Sequence, residues 1–418
     1  MSFYRIVAIR YFAYKPISVL HLPLSPLILS GLKKKVEGRL ERILLSKFPI
    51  RAQYRPKGIT DLKTLKDAGL ADVVVLREPF ISRLIPNEFY KLCTYYFNTA
   101  LESQNPGDYV AILKNGRIMM DTGSNMAVVA SDGNLVKELS FQWNLGLVGV
   151  EHNAFLKQKG FSKAREIRGT VFSMLAGGGA ITYYYHWMVD SLPRLMLLKE
   201  SGLFDKVDYF LVPNYSLDYH KETLAYFGVK SHQVISVLEN RHIQADSLIL
   251  TSYTRLDGHH PQWLCDGLYN TFVGSSAPEH NNRLLYISRA DAKQRRVLNE
   301  PELIEALKPY GFEVYTMSSL TMRQKAELLS SARLIVGPHG SGSVNYAFCK
   351  PGTKILDLFP DNCVAPFICD VADKRGLLYH YLLCESDGNA TNAVEGQKIN
   401  LTVDVKKVEE KVKQLLAD

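Results

Sequence analysis

Two short stretches of this sequence have residue types and spacings that could do chemistry. The first is Gly337-Pro338-His339-Gly340-Ser341-Gly342, which follows one apolar run and precedes a segment that can be helical. Glycines let a backbone approach a ligand closely, and free N–H groups at a helix start favour an anion. No Gly-Lys-Ser/Thr follows, so this is not a Walker phosphate loop, and it does not occupy the first-strand position of a G-x-G-x-x-G fingerprint. Taken alone, the loop reads equally well as a tight strand-to-helix turn around a buried histidine. Arg289, Arg295 and Arg296 tip the balance. They follow the run Leu284–Ile287, which in a parallel sheet puts them at the same carboxyl-end edge as the loop. Guanidinium groups bind phosphate bidentately. Each arginine singly reads as a solvated surface charge, whereas Arg289 and Arg295 beside Gly340 can together hold a diphosphate.

The second stretch runs from Gly177-Gly178-Gly179 through Tyr183 to Arg194. On a helix, His186, Asp190 and Arg194 are spaced four residues apart and share one face. Trp187, Met188, Leu195 and Leu198 fall elsewhere and suit a core. A histidine and a carboxylate placed in this way can take a proton from a hydroxyl, although the same spacing also merely steadies many helices. Pro193 predicts a kink or a break. No D-x-D occurs in the site region, so no metal site is expected.

Alternating β and α patterns must position these residues. Strand texture runs from Tyr109 to Ser140, with hairpin-turn signals at Lys114–Arg117 and Ser131–Asn134, which predicts an antiparallel meander. From Gly169 the chain alternates: strand Gly169–Leu175, helix Tyr183–Glu200, strand Val207–Val212, helix Leu217–Phe227 and strand Gln233–Leu238. A polar stretch, Gly274–Asn282, reads as a linker. Beyond it come strands Leu284–Ile287, Phe312–Tyr315, Leu334–Val336 and Ile355–Phe359. Asn299 is placed to cap the first intervening helix, and Thr321 with Gln324 forms a capping box for the next. This order predicts a doubly wound, Rossmann-like domain. Apolar residues 405, 408, 412, 415 and 416 mark one face of a terminal helix. The expected organisation is therefore an unassigned region 1–108, an N-terminal Rossmann-like domain with the meander over 109–275, a C-terminal one over 283–400, and a helix over 404–417. The α/β class follows, with two such domains facing a central crevice.

The 418 residues suffice for two cores, and 46% hydrophobic with 22% charged residues is ordinary for a globular chain. A net charge of +8 suits an anionic ligand or an acidic membrane surface. It is not concentrated into the basic, aromatic-rich stripe of a nucleic-acid binder. Six cysteines without C-x-x-C spacing read as reduced structural thiols. Prolines at 16, 23 and 26 interrupt the apolar N-terminus, so no membrane span or signal peptide is expected, while basic and aromatic residues of the first 35 positions permit a peripheral membrane association.

Several of these pieces resemble glycosyltransferase family 61: Tyr286-Ile-Ser-Arg289, Arg295-Arg-x-x-Asn299-Glu300, the loop Gly337–Gly342, Asn345 and Phe348. His186-Trp-x-x-Asp190-x-Leu-Pro-Arg194 is similar to that family's N-domain motif. The resemblance covers roughly residues 110–360. Ser341, Ser343-Val344 and Asp357 stand where the family often has Ala, Leu-Thr and Glu. The resemblance implies a fold similar to two-domain GT-B enzymes and an inverting, metal-independent transfer from a nucleotide-sugar, usually a UDP-sugar, to a glycan acceptor. It implies no cofactor beyond that co-substrate. On the donor side it places Arg289, Arg295, His339, Gly340 and Asn345, with Gly337, Ser341 and Gly342 completing the loop. On the acceptor side it places His186 and Asp190, with Tyr183 and Arg194 beside them. Asp190 is the favoured base, by a narrow margin over His186. The lack of an anchor or disulfide pattern points to a cytoplasmic, bacterial-type member building surface polysaccharide. The competing expectation is a sugar-nucleotide or glycan-binding protein without catalysis.

Overall fold

The computed structural model describes residues 52–83, 88–93, 102–121, 125–140, 149–177, 179–256 and 258–417. Contacts divide the chain into two units. One comprises 1–53 with 159–161, of which only 52–53 and 159–161 are described; the other comprises 54–158 with 162–418 and holds every element discussed below. The membrane-surface expectation for the first 35 positions lies outside the described residues. Among the described residues, no helix is long and apolar enough to cross a membrane.

Ten strands make the first sheet: β1 (Ile59–Thr60), β2 (Ala71–Arg77), β5 (Asp108–Lys114), β6 (Arg117–Met120), β7 (Met126–Val129), β8 (Leu135–Val136), β9 (Arg165–Ser173), β10 (Tyr209–Val212), β11 (Val234–Ser236) and β12 (His242–Thr251). A separate hairpin pairs β3 (Phe80–Arg83) with β4 (Glu102–Asn105). Strands β9, β10 and β11 are parallel, as the alternation predicts, and β12 joins them parallel to β9. The meander is found in β6, β7 and β8. Its first turn differs from expectation. β5 and β6 do not pair with each other; both pair antiparallel with the ten-residue β12, one after the other. Asn115, at φ 51°, bends the chain between them. The Asn-Gly signal is therefore a bend within a run that follows one long partner. A local turn preference cannot distinguish this from a hairpin.

The second sheet contains β13 (Arg283–Ser288), β14 (Glu313–Thr316), β15 (Ala332–Pro338), β16 (Lys354–Pro360), β17 (Leu378–Ser386) and β18 (Leu401–Thr402), in spatial order 14-13-15-16-17-18. The first five are parallel and β18 is antiparallel. β15 and β16 are buried along almost their whole length, as strands covered on both faces must be. That is why both read as largely apolar runs, with Asp357 the buried exception in β16. Helices Glu300–Leu307 and Val405–Ala417 share a core with β13, β15 and β16, and the terminal helix buries Val408, Val412 and Leu415 as its spacing predicts. The Thr321–Gln324 capping box forms in both directions, at 3.2 and 2.9 Å. Asn299 does sit at the helix start, but its side chain bonds the Val403 N–H and carbonyl, tying the helix to β18 instead of capping it.

Strand order along the chain reverses between β13 and β15. In open parallel sheets, ligands bind outside the carboxyl ends of the strands at such a switch point. Arg289 and Arg295 follow β13, and His339 and Gly340 follow β15.

Candidate functional site

Arg289 leaves the end of β13 and lies flat over Gly340. A Cβ at position 340 would come within 2.6 Å of the Arg289 Cζ, so only glycine admits the guanidinium there. Arg289 donates from Nη2 to the Gln294 carbonyl at 3.2 Å, and its Nε is buried without a partner. Arg295 takes the left-handed conformation at φ 56°, unusual for a side chain of this size, and its Nε is likewise buried and unpartnered. Burial first, and then the neighbouring Arg289 charge, bring the Arg295 guanidinium down to about 10. Among the described residues neither arginine makes an ion pair. Two confined like charges with unused donors favour the arrival of an anion, because each lone buried donor costs about 1–3 kcal/mol.

The glycine loop uses two of its own N–H groups inside the fold. The His339 N–H is taken by the Leu358 carbonyl at 3.0 Å and the Gly340 N–H by the Ser343 Oγ at 3.2 Å. The segment Ser341–Phe348 is a 3-10 helix. These two N–H groups are therefore committed within the fold, and the loop also supplies the bare Cα that seats Arg289. Gly337 has a separate reason: a Cβ there would meet the Ile287 carbonyl at 2.8 Å, so it permits the close pairing of β15 with β13. His339 is buried, stacked on Phe359 at 4.3 Å, with Nδ1 3.2 Å from Asp357 Oδ2. The Tyr346 and Tyr379 hydroxyls donate to the same carboxylate at 2.9 and 2.8 Å. Burial and the two arginine charges lower the histidine's pKa, which keeps the ring neutral. Ser341 and Gly342 are half-buried at the loop rim. A cavity of about 210 Å³ opens beside it, lined by Ile287, Arg289, Met317, Pro338, Ser343 and Tyr346.

The stretch Tyr183–Glu200 is not one helix. A turn at Tyr184–His186 passes into a π-helical turn, Trp187–Ser191, and Pro193 opens a regular helix to Glu200. The Leu192 N–H reaches back five residues to the Trp187 carbonyl at 2.9 Å. Such π turns often accompany functional sites, because they re-aim side chains. The break at Pro193 was legible in the sequence; the wide turn before it was not. Even so, His186 and Asp190 meet, with Nδ1 2.6 Å from Oδ2. Gly179 fits against the histidine, since a Cβ there would lie 2.8 Å from His186 Cγ.

Arg255, absent from the sequence expectations, grips the same carboxylate. Its Nε donates to Asp190 Oδ1 at 2.7 Å and Nη2 to Oδ2 at 3.2 Å. Burial works to raise the Asp190 pKa, but Arg255 and His186 outweigh it and hold the carboxyl well below its usual range. Arg255 follows the apolar end of β12, the same signal that singled out Arg289 after β13. Arg194 is 3% exposed and bonds inward, to the Asp190 carbonyl at 3.0 Å and to Thr251 Oγ1 at 3.1 Å. It braces the π turn. Tyr183 is 51% exposed, edge-on to the His186 ring at 6.1 Å, and close enough to Arg295 to act on its charge.

A hydrogen bond joins the two clusters. The Tyr184 hydroxyl donates to Asn345 Oδ1 at 2.7 Å, and Asn345 Nδ2 is buried without a partner. Asn345 thus has one face engaged and one donor unused.

The family model described as Glycosyltransferase 61 matches residues 184–356. The matched segment is thus similar to glycosyltransferase family 61. It contains His186, Asp190, Arg255, both arginines after β13, and the glycine loop through Asn345; Tyr183 and Asp357 lie just outside it. No curated protein matches the chain. The similarity supports a glycosyltransferase, a class of enzyme that takes a donor and an acceptor substrate.

Proposed function

We propose that this glycosyltransferase moves a sugar, with inversion, from a nucleotide-sugar, most simply a UDP-sugar, to an acceptor glycan. The observation that carries the reading is the pair of arginines at the β13–β15 switch point, each with a buried, unpartnered Nε and neither in an ion pair among the described residues, next to a chain segment that holds a histidine–aspartate pair. In this reading the parts are two Rossmann-like domains of GT-B type, over 109–275 and 283–400, and the work is done in the cytoplasm on surface polysaccharide.

The donor diphosphate lies against Arg289, Arg295 and the Asn345 Nδ2, with Gly340 keeping Arg289 in place. The nucleoside enters the cavity beside Met317 and Tyr346. His186 is the base, and Asp190 is not. A carboxylate gripped by Arg255 is a weak proton acceptor, yet it fixes the imidazole: Nδ1–H donates to Asp190, leaving the Nε2 lone pair for the acceptor hydroxyl. That oxygen attacks the anomeric carbon, the bond to the diphosphate oxygen breaks, and the proton passes to Nε2. The diphosphate leaves with the bonding electrons, and the two arginines stabilise its charge.

Thermal shift across a panel of sugar nucleotides, followed by assay of free nucleotide release, tests the reading. Stabilisation by one nucleotide family with slow release of its diphosphate is expected. Binding without release, even with glycan acceptors, would instead identify a sugar-nucleotide-binding protein. Because arginines serve the leaving group, transfer is expected to be unaffected by a chelator; activity lost to chelation and restored by manganese would reject that part. Gly340→Ala is expected to displace Arg289 and weaken binding of the nucleotide diphosphate roughly tenfold, for about 1.5 kcal/mol of lost charged hydrogen bonding. Calorimetry on the folded variant measures this, and an unchanged affinity would separate Arg289 from the ligand.

A further inference from the structure

Behind His186 lies a second histidine–carboxylate pair that the transfer mechanism does not use. His260 and Asp370 are 0% and 1% exposed. Asp370 Oδ2 accepts from the His260 backbone N–H and lies 2.7 Å from its Nδ1, while Lys374 Nζ lies 3.8 Å from Oδ1. His260 Nε2 is 2.7 Å from the Tyr185 hydroxyl. A carboxylate only accepts, so Nδ1 carries the proton. Burial keeps the ring neutral. Nε2 is then an acceptor, and the tyrosine must donate to it. The array has one direction: Tyr185 O–H to His260, His260 N–H to Asp370.

Its members come from distant places. Asp370 is on helix Phe367–Lys374, which follows β16, and His260 is in the loop after β12. Tyr185 immediately precedes His186. Burying such a set contributes little to stability, because desolvation offsets the attraction. What the set does provide is a fixed direction for the Tyr185 ring. That ring lies 5.3 Å from the Arg255 guanidinium carbon, packs on Phe367 at 6.1 Å and meets the His186 ring edge-on at 5.4 Å. Arg255 in turn holds Asp190, and Asp190 holds His186. The titratable and charged groups around Tyr185 are His186, Asp190, Arg255, His260, Cys265 and Asp370.

We propose that Tyr185, His260 and Asp370 are positioning residues, which lock the ring that keeps Arg255 on Asp190 and so fix the orientation of His186. The functional part rests on the reading of His186 as the base; the structural part does not.

Hydrogen exchange of the Arg255 Nε–H, followed by nuclear magnetic resonance on the full chain without substrate, tests the lock directly. Tyr185→Phe keeps the ring and removes only the hydroxyl. In it, exchange at Arg255 is expected to accelerate by about tenfold, while backbone amides of β15 and β16 keep wild-type rates. His260→Leu should do the same. His260→Gln, whose amide can both accept and donate, should restore most of the protection. In the transfer assay, Tyr185→Phe is expected to lower kcat roughly tenfold with UDP affinity within about twofold, as for a misplaced base. Unchanged Arg255 exchange in both Tyr185→Phe and His260→Leu would overturn the proposal. So would acceleration spread evenly over the amides of both sheets. Should the wild-type chain release no nucleotide from any donor, the transferase reading fails, and the exchange result alone decides the lock.

Discussion

His186→Ala is expected to reduce sugar transfer by roughly 100- to 10,000-fold while leaving the affinity for the nucleotide diphosphate nearly unchanged. A sugar hydroxyl is a poor acid, so its proton must move as the new bond forms. Of the two candidates, Asp190 is already the acceptor for three donors, at 2.6, 2.7 and 3.2 Å, from His186 and Arg255. Its lone pairs are committed, and the Arg255 charge makes it less basic still. The imidazole has one nitrogen committed to Asp190, and the other makes no hydrogen bond among the described residues. Asp190→Asn should therefore be damaging for another reason: the amide can donate to Nδ1 and turn the ring to the tautomer that cannot accept on Nε2. Added imidazole should recover part of the turnover of His186→Ala and none of that of Asp190→Asn. Near wild-type rates in both variants would mean that this pair is structural and the base lies elsewhere.

Arg295→Met is expected to move two properties in opposite directions. It should weaken binding of the nucleotide diphosphate by roughly 10- to 150-fold, for about 1.5–3 kcal/mol of lost charged hydrogen bonding. It should also raise the melting temperature of the ligand-free protein. The reason is that, after burial, the Arg289 charge is among the causes that bring Arg295 down to about 10. Removing one of two like charges relieves that repulsion, and methionine keeps the apolar stem packed. Calorimetry and a thermal melt on the same sample measure both. Lower affinity together with a lower melting temperature would mark Arg295 as an ordinary structural residue, and unchanged affinity would remove it from the site.

Much of the second sheet was legible in the sequence. Short apolar runs between capped helices made four strands stand out in their order, and parallel pairing placed Arg289, Arg295 and Gly340 at one carboxyl-end edge. The Thr321–Gln324 box and the break at Pro193 were also legible, because both are decided within a few residues. The loop's role was only half legible. Glycine at 340 could be read as room for a ligand, whereas it makes room for Arg289, and a backbone pattern cannot say which neighbour fills the space.

What the tertiary structure alone decided involves partners far apart in the chain. β12 pairs with β5, β6 and β9, and its first half alternates polar and apolar residues with no turn signal to announce it. Arg255 and Asp190 are 65 residues apart, and His260 and Asp370 are 110 apart. An isolated charge in a sequence carries no mark of the charge it will face, because an ion pair depends on where two strands or helices end in space. The proposed choice of His186 over Asp190 as base rests on such a partner. Spacing along one helix leaves a narrow margin for Asp190, and it is the third residue, Arg255, arriving from the end of β12, that holds the carboxylate from its other side.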